Sequence, residues 1–169
     1  MRTRMTDSDT CPGCGLVAPA EQGATHAYMI SSAACWRRYS AILGREYSTP
    51  ALMPTHFLTV DVFAVQHPGD RGDRRARQSV WLHLAGLHAV LRQGRKPEYR
   101  YALLNKLADA DCDWPDQPDH APFPLVAGDI CVELSVENHI EIVRRWADTA
   151  LASYEEAVPG LATRIAAFA

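Results

Sequence analysis

Apolar residues recur at helical intervals of three and four positions along most of this chain, so the pattern predicts an all-α protein. The segments that carry it are residues 31–47, 56–67, 75–93, 98–109 and 135–158, followed by a terminal turn over 161–168. A serine at 31 or 32 and another at 135 are suitable N-caps for the first and last long helices. Pro159-Gly160 ends the last one, because proline cannot extend the ladder of hydrogen bonds. We therefore predict a single-domain helical bundle.

The apolar residues of the stretch HFLTVDVFAVQHPG, residues 56–69, come at helical intervals, and polar side chains interrupt them. These are His56, Asp61, Gln66 and His67, which is more polarity than a purely structural core helix needs. Pro68-Gly69 ends the helix. The pattern indicates a buried helix that carries a functional site.

Two further segments lack helical periodicity. Residues 1–10 are polar, which predicts a mobile tail before a single domain over 11–169. Residues 112–124 contain four prolines, which exclude a helix and predict an extended strap over the bundle.

Composition narrows the class of protein. A chain of 169 residues can bury about two thirds of its unfolded surface, so a metal is not needed to compensate for a small core. The net charge of −3 supplies no general attraction for phosphates, which disfavours nucleic-acid binding. We find no apolar run of membrane-spanning length and no signal peptide at the start, and we expect a cytoplasmic protein.

Cysteine spacing gives the sharpest local signal. The five cysteines are an odd number, and two of them form the segment Cys11-Pro-Gly-Cys14-Gly15, which we call the knuckle. Two thiolates separated by a tight turn suit a tetrahedral zinc site, which needs two more ligands. A thioredoxin-type redox pair would require the motif at a helix start after a strand, and a polar tail precedes it here. A third interpretation of these cysteines is that they are free thiols that bind no metal.

The remaining ligands must come from other helices. Cys35 is the nearest further thiol, although a cysteine on an apolar stripe can also be a small core residue. His67 is our preferred fourth ligand, because the Pro68-Gly69 break frees its ring to reach another element; the alternative is a helix-end histidine that meets unpaired carbonyls. His56 lies about 16 Å from His67 along the helix, so the two cannot share an ion. We keep His56 and His139 as reserve ligands.

Two residues are candidates for acid–base catalysis. Asp61 lies on the central helix, and His83 lies with Gln78 and Ser79 in a polar set on an otherwise apolar helix. For Asp61, a buried carboxylate paired with an arginine or capping a helix is an equally good interpretation.

Several of these segments together resemble a bacterial family of unknown function. They are CPGCG, CWRRYSAILGREY, HFLTVDVFAVQHPG, RQSVWLHLAGL and HIEIVRRWA. The family pattern has a CPxCG start, a VDxYxxQHPG helix and a C-terminal His-x6-Trp helix. This chain has Phe63 where the pattern has tyrosine. The resemblance implies a helical architecture and metal binding through cysteines and histidines, and it implies no particular reaction.

Three functions are compatible with these observations. In the first, Cys11, Cys14, Cys35 and His67 bind zinc and join the knuckle to the helical core. In the second, the metal keeps an open position for a small-molecule ligand, and Asp61 or His83 acts as acid or base. In the third, the chain is a zinc-stabilised regulator or adaptor. Thiolate with imidazole favours zinc over iron.

Overall fold

The structure, a computed structural model that describes residues 7–168, is mostly helical, which confirms the predicted fold class. Within these residues there are six α-helices. They are α1 (Ala33–Ser48), α2 (Met53–Gln66), α3 (Arg74–Leu91), α4 (Pro97–Ala108), α5 (Val136–Ala157) and α6 (Leu161–Ala166). Single 3-10 turns occur at Pro50–Leu52 and Ala127–Asp129.

A short hairpin precedes the helices. Strand β1 (Ser8–Thr10) pairs antiparallel with β2 (Val17–Pro19), and Thr10 lies opposite Val17. Of the predicted tail, residues 1–6 lie outside the described residues, whereas the part over 8–10 forms β1. The hairpin turn between the strands is the knuckle.

Helix α2 is the central element of the bundle and contacts α1, α3 and α5. Nearly all of its residues are buried, on every side of the helix. A helix surrounded in this way is expected to be apolar throughout, so each polar side chain that it carries needs a partner in the neighbouring elements. These partners determine where the polar clusters of the molecule lie.

Side-chain caps fix the starts of three helices. Ser32 Oγ accepts a hydrogen bond from Cys35 N at 3.2 Å, and Ser135 Oγ accepts one from Asn138 N at 3.2 Å. At α3, Asp73 Oδ1 accepts from Arg75 N at 2.8 Å. The caps at Ser32 and Ser135 are those that the sequence predicts.

Residues 112–124 form no helix or strand and run across the bundle as the strap. Trp81 Nε1 donates to Pro115 O at 3.1 Å, and Gln117 Nε2 donates to Gly69 O at 3.2 Å. Trp114, a residue of the strap, is buried. The strap is thus attached by hydrogen bonds in both directions: a side chain of α3 donates to one of its carbonyls, and one of its own side chains donates to the carbonyl of Gly69.

The last turn of α2 is joined to two distant parts of the chain. Gln66 Nε2 donates to Leu125 O at 2.7 Å, and Gln66 Oε1 accepts from Trp146 Nε1 at 3.0 Å. The hydroxyl of Tyr154 donates to Val65 O. The carboxamide of Gln66 is therefore satisfied at both ends in the core.

Candidate metal centre

The knuckle is shaped by its own backbone hydrogen bonds. Cys11 N donates to Leu16 O at 2.8 Å, and Gly15 N donates to Cys11 O at 2.9 Å. Gly15 has φ of +79°, a conformation that glycine adopts without steric cost. This turn places the side chains of Cys11 and Cys14 on the buried side of the hairpin.

The other two side chains come from helix ends. Cys35 lies in the first turn of α1 and is fully buried, and His67 follows the last residue of α2. His67 Nδ1 lies 2.7 Å from Phe63 O, and since a carbonyl can only accept, Nδ1 carries the proton. The lone pair of Nε2 is then free, and this atom lies 3.3 Å from Cys35 Sγ. A backbone carbonyl that fixes the ring in this way is typical of histidine ligands.

The ligand atoms of Cys11, Cys14, Cys35 and His67 all lie within 4.8 Å of one another, and all four residues are buried. The sulfurs of Cys14 and Cys35 are 3.6 Å apart. In a tetrahedral zinc site with Zn–S near 2.3 Å, two sulfurs are about 3.8 Å apart. The structure thus brings together the four residues that the sequence predicts as ligands, in an arrangement that could hold a metal ion.

The sulfurs are unequal in their acidity. Hydrogen bonds from Cys14 and Cys35 lower the pKa of Cys11 far below that of a free thiol, and Ser32 N also lies 3.5 Å from its sulfur. The hydrogen bond to Cys11 raises the pKa of Cys14 to about 12, and that of Cys35 is raised further by the same neighbours and by burial. With no cation, one thiolate therefore suppresses ionisation of the other two, and a divalent ion would relieve that repulsion.

Gly13 allows the knuckle to approach the end of α2. A Cβ atom at this position would lie 2.5 Å from His67 Cδ2 and 2.6 Å from Ile30 O, closer than van der Waals contact allows. Any side chain at 13 would therefore push the knuckle away from His67.

The reserve ligands His56 and His139 do not join the metal cluster. Both contact Glu46, a fully buried carboxylate near the end of α1. His56 Nδ1 donates to Oε2 at 2.9 Å, His139 Nε2 donates to Oε1 at 2.9 Å, and Thr59 Oγ1 donates to Oε1 at 2.6 Å. We call these four residues the Glu46 cluster. It joins α1, α2 and α5, and it gives each histidine a carboxylate partner away from the candidate metal ligands; Nδ1 of His139 is buried and makes no hydrogen bond with any described residue.

Replacing Glu46 by glutamine is expected to lower the free energy of unfolding by about 1–3 kcal/mol, because the new amide group donates where a histidine also donates. Denaturant unfolding measures this loss. Glu133→Gln, a change at an exposed position, serves as control and should cost less than about 0.5 kcal/mol. Equal stability of the two variants would contradict the role that we assign to Glu46.

The two predicted catalytic residues contact each other. His83 Nδ1 donates to Asp61 Oδ1 at 2.6 Å, and Arg100 on α4 binds both oxygens of Asp61, with Nε to Oδ2 at 2.9 Å. Asp61 is fully buried, and Gly86 leaves room for its carboxylate. This pairing agrees with the arginine-paired interpretation. Neither residue belongs to the group of metal-ligand atoms, and a catalytic role for them stays a prediction.

Sequence reasoning did not select Glu46 or Arg100. A signal for Glu46 was present, since it continues the apolar stripe of α1 through Cys35, Tyr39 and Ile42. An acidic residue on a buried stripe requires buried donors. Arg100 gives no comparable signal.

The fold and this centre define a class: helical proteins with a Cys3His cluster suited to a metal. Residues 9–155 match the family of unknown function DUF5946, and the chain belongs to that family. No curated protein and no solved structure matches the chain significantly. Among the described residues, no helix combines the length and the apolar character needed to cross a membrane.

Proposed function

We propose that this protein is a zinc-binding helical protein, in which the ion joins the N-terminal knuckle to the helical core. The observation that carries the proposal is the convergence of Cys11, Cys14, Cys35 and His67. Thiolates with one imidazole favour zinc, and such a cluster supplies four protein ligands, the number of a closed structural site. Catalytic sites usually keep only three.

The origin of the ligands supports this proposal, because they come from three separate elements: the knuckle, the start of α1 and the end of α2. The knuckle contributes Cys11 and Cys14, while Cys35 and His67 are fixed by α1 and α2. An ion bound here would close a loop between residues 11 and 67 and so stabilise the position of the hairpin. A reducing compartment such as the cytoplasm suits thiolate ligands, and we include that location in the proposal.

The metalloenzyme alternative would need an acid or base beside the ion. Asp61 lies six residues before His67 on α2, about 9 Å along the helix axis. Its oxygens are occupied by Arg100 and His83. This favours the structural role, while a role as regulator or adaptor stays a prediction.

The proposal is tested by elemental analysis of protein purified without added metal. We expect close to one zinc per chain, and we expect a strong chelator to remove it with loss of thermal stability measured by circular dichroism. Zinc well below one per chain, or another metal in its place, would contradict the proposal.

A further inference from the structure

A groove of about 410 Å³ lies at the opposite end of α2 from His67. Its walls are the first turns of α2, the end of α3, the start of α4 and the first half of α5. This volume falls in the range of small-molecule sites, about 300–1,000 Å³. None of the candidate metal ligands lines it.

The floor of the groove is apolar. Phe57, Leu58 and Val90 form it and are buried, and Ile140 at its edge is 38% exposed. Aliphatic and aromatic side chains of this kind attract an apolar chain, because contact removes its surface from water.

The mouth of the groove carries two guanidinium groups that have no ion-pair partner among the described residues. Arg95 and Arg144 both line it and are exposed, and neither guanidinium forms an ion pair within residues 7–168. The guanidinium of Arg95 lies over the Tyr99 ring, 4.8 Å from its centroid. By contrast, the nearby Arg92 pairs with two carboxylates. Two unpaired guanidinium groups at one mouth favour an anion.

A hydroxyl in the groove is available to the same kind of ligand. Thr55 lines the groove, and its side chain makes no hydrogen bond with any described residue. Its oxygen is accessible and not sealed in the core, so it can donate to water or to a ligand oxygen.

We propose that this groove binds a medium-chain aliphatic carboxylate. The chain lies on Phe57, Leu58 and Val90, and Arg95 and Arg144 hold the carboxylate. The hydroxyl of Thr55 donates to a ligand oxygen. This site is independent of the candidate metal centre.

Isothermal titration calorimetry of the full chain with octanoate and with 1-octanol tests the proposal. We expect one octanoate per chain. The double variant Arg95→Gln/Arg144→Gln should bind octanoate at least about tenfold more weakly, a change of about 1.4 kcal/mol, with octanol binding unchanged. Arg145→Gln is the matched control, since Arg145 is also exposed and adjacent to Arg144 but does not line the groove. It should leave octanoate binding unchanged.

Three results would overturn the proposal. The first is the absence of saturable octanoate binding by the wild-type chain. The second is equal weakening by Arg145→Gln, or equal loss of octanoate and octanol in the double variant, since either means that the groove does not recognise the carboxylate. The third is a dimer that Ile140→Asp dissociates in analytical ultracentrifugation, which would make the groove an interface between copies.

Discussion

Replacing Cys14 by serine is expected to reduce bound zinc from about one ion per chain to a small fraction and to destabilise the protein strongly. Serine keeps the size of the side chain but replaces a soft thiolate by a neutral hydroxyl, which is a poor zinc ligand. If free zinc exceeds the dissociation constant a thousandfold, the ion contributes about 4 kcal/mol to the free energy of unfolding. Elemental analysis and chemical denaturation measure the two effects.

Cys131→Ser is the matched control for this experiment. Cys131 is exposed and lies outside the cluster, so its loss should change neither zinc content nor stability. His67→Gln removes a ligand from the other side of the site and should lower zinc content as Cys14→Ser does. Full zinc retention in both cluster variants would show that the ion is bound elsewhere.

Replacing Asp61 by asparagine is expected to destabilise the protein by about 3–5 kcal/mol, the cost of leaving one member of a buried ion pair without its partner. Arg100 is 5% exposed, so water cannot solvate its charge once the carboxylate is gone. Urea unfolding of the variant and the wild type measures the difference. The change should also weaken the attachment of α4 to α2, which the pair of Arg100 with Asp61 provides.

An exposed pair of the same type provides the control. Asp148 pairs with Arg92 at the surface, and Asp148→Asn should cost no more than about 1 kcal/mol. The double variant Asp61→Leu/Arg100→Leu should lose less stability than the two single changes combined, because it removes both charges together. If Asp61→Asn and Asp148→Asn cost the same, the buried pair has no special role.

The sequence predicts most of the helices because apolar residues recur at helical intervals and several helices also carry a clear start or end signal. Ser32 and Ser135 start two of them, and Pro159-Gly160 ends another. The β1–β2 hairpin was not predicted. Strands of three residues are too short to show alternation, and these form because the knuckle between them closes a tight turn.

The four candidate metal ligands could be identified from the sequence because a local feature marks each of them. Spacing selects Cys11 and Cys14, the need for a third thiol selects Cys35, and the break after α2 selects His67. Their convergence could not be derived, since it depends on the packing of α1 and α2.

The pairings within the Glu46 cluster could not be predicted from the sequence. Glu46 and His139 are 93 positions apart, and nothing in either segment specifies the other as partner. The central helix reveals that His56 and Asp61 need partners but does not identify them. Such pairings are set by the tertiary arrangement, which local patterns do not determine.

Three consecutive residues at the end of α2 bind three different regions: Val65 receives the Tyr154 hydroxyl, Gln66 bridges Leu125 and Trp146, and His67 faces the knuckle. Fraying of this one helical turn would release all of these attachments at once. The N-terminal hairpin, the segment after the strap and the last long helix therefore share one point of attachment, so local opening of this turn should weaken the packing of all three together.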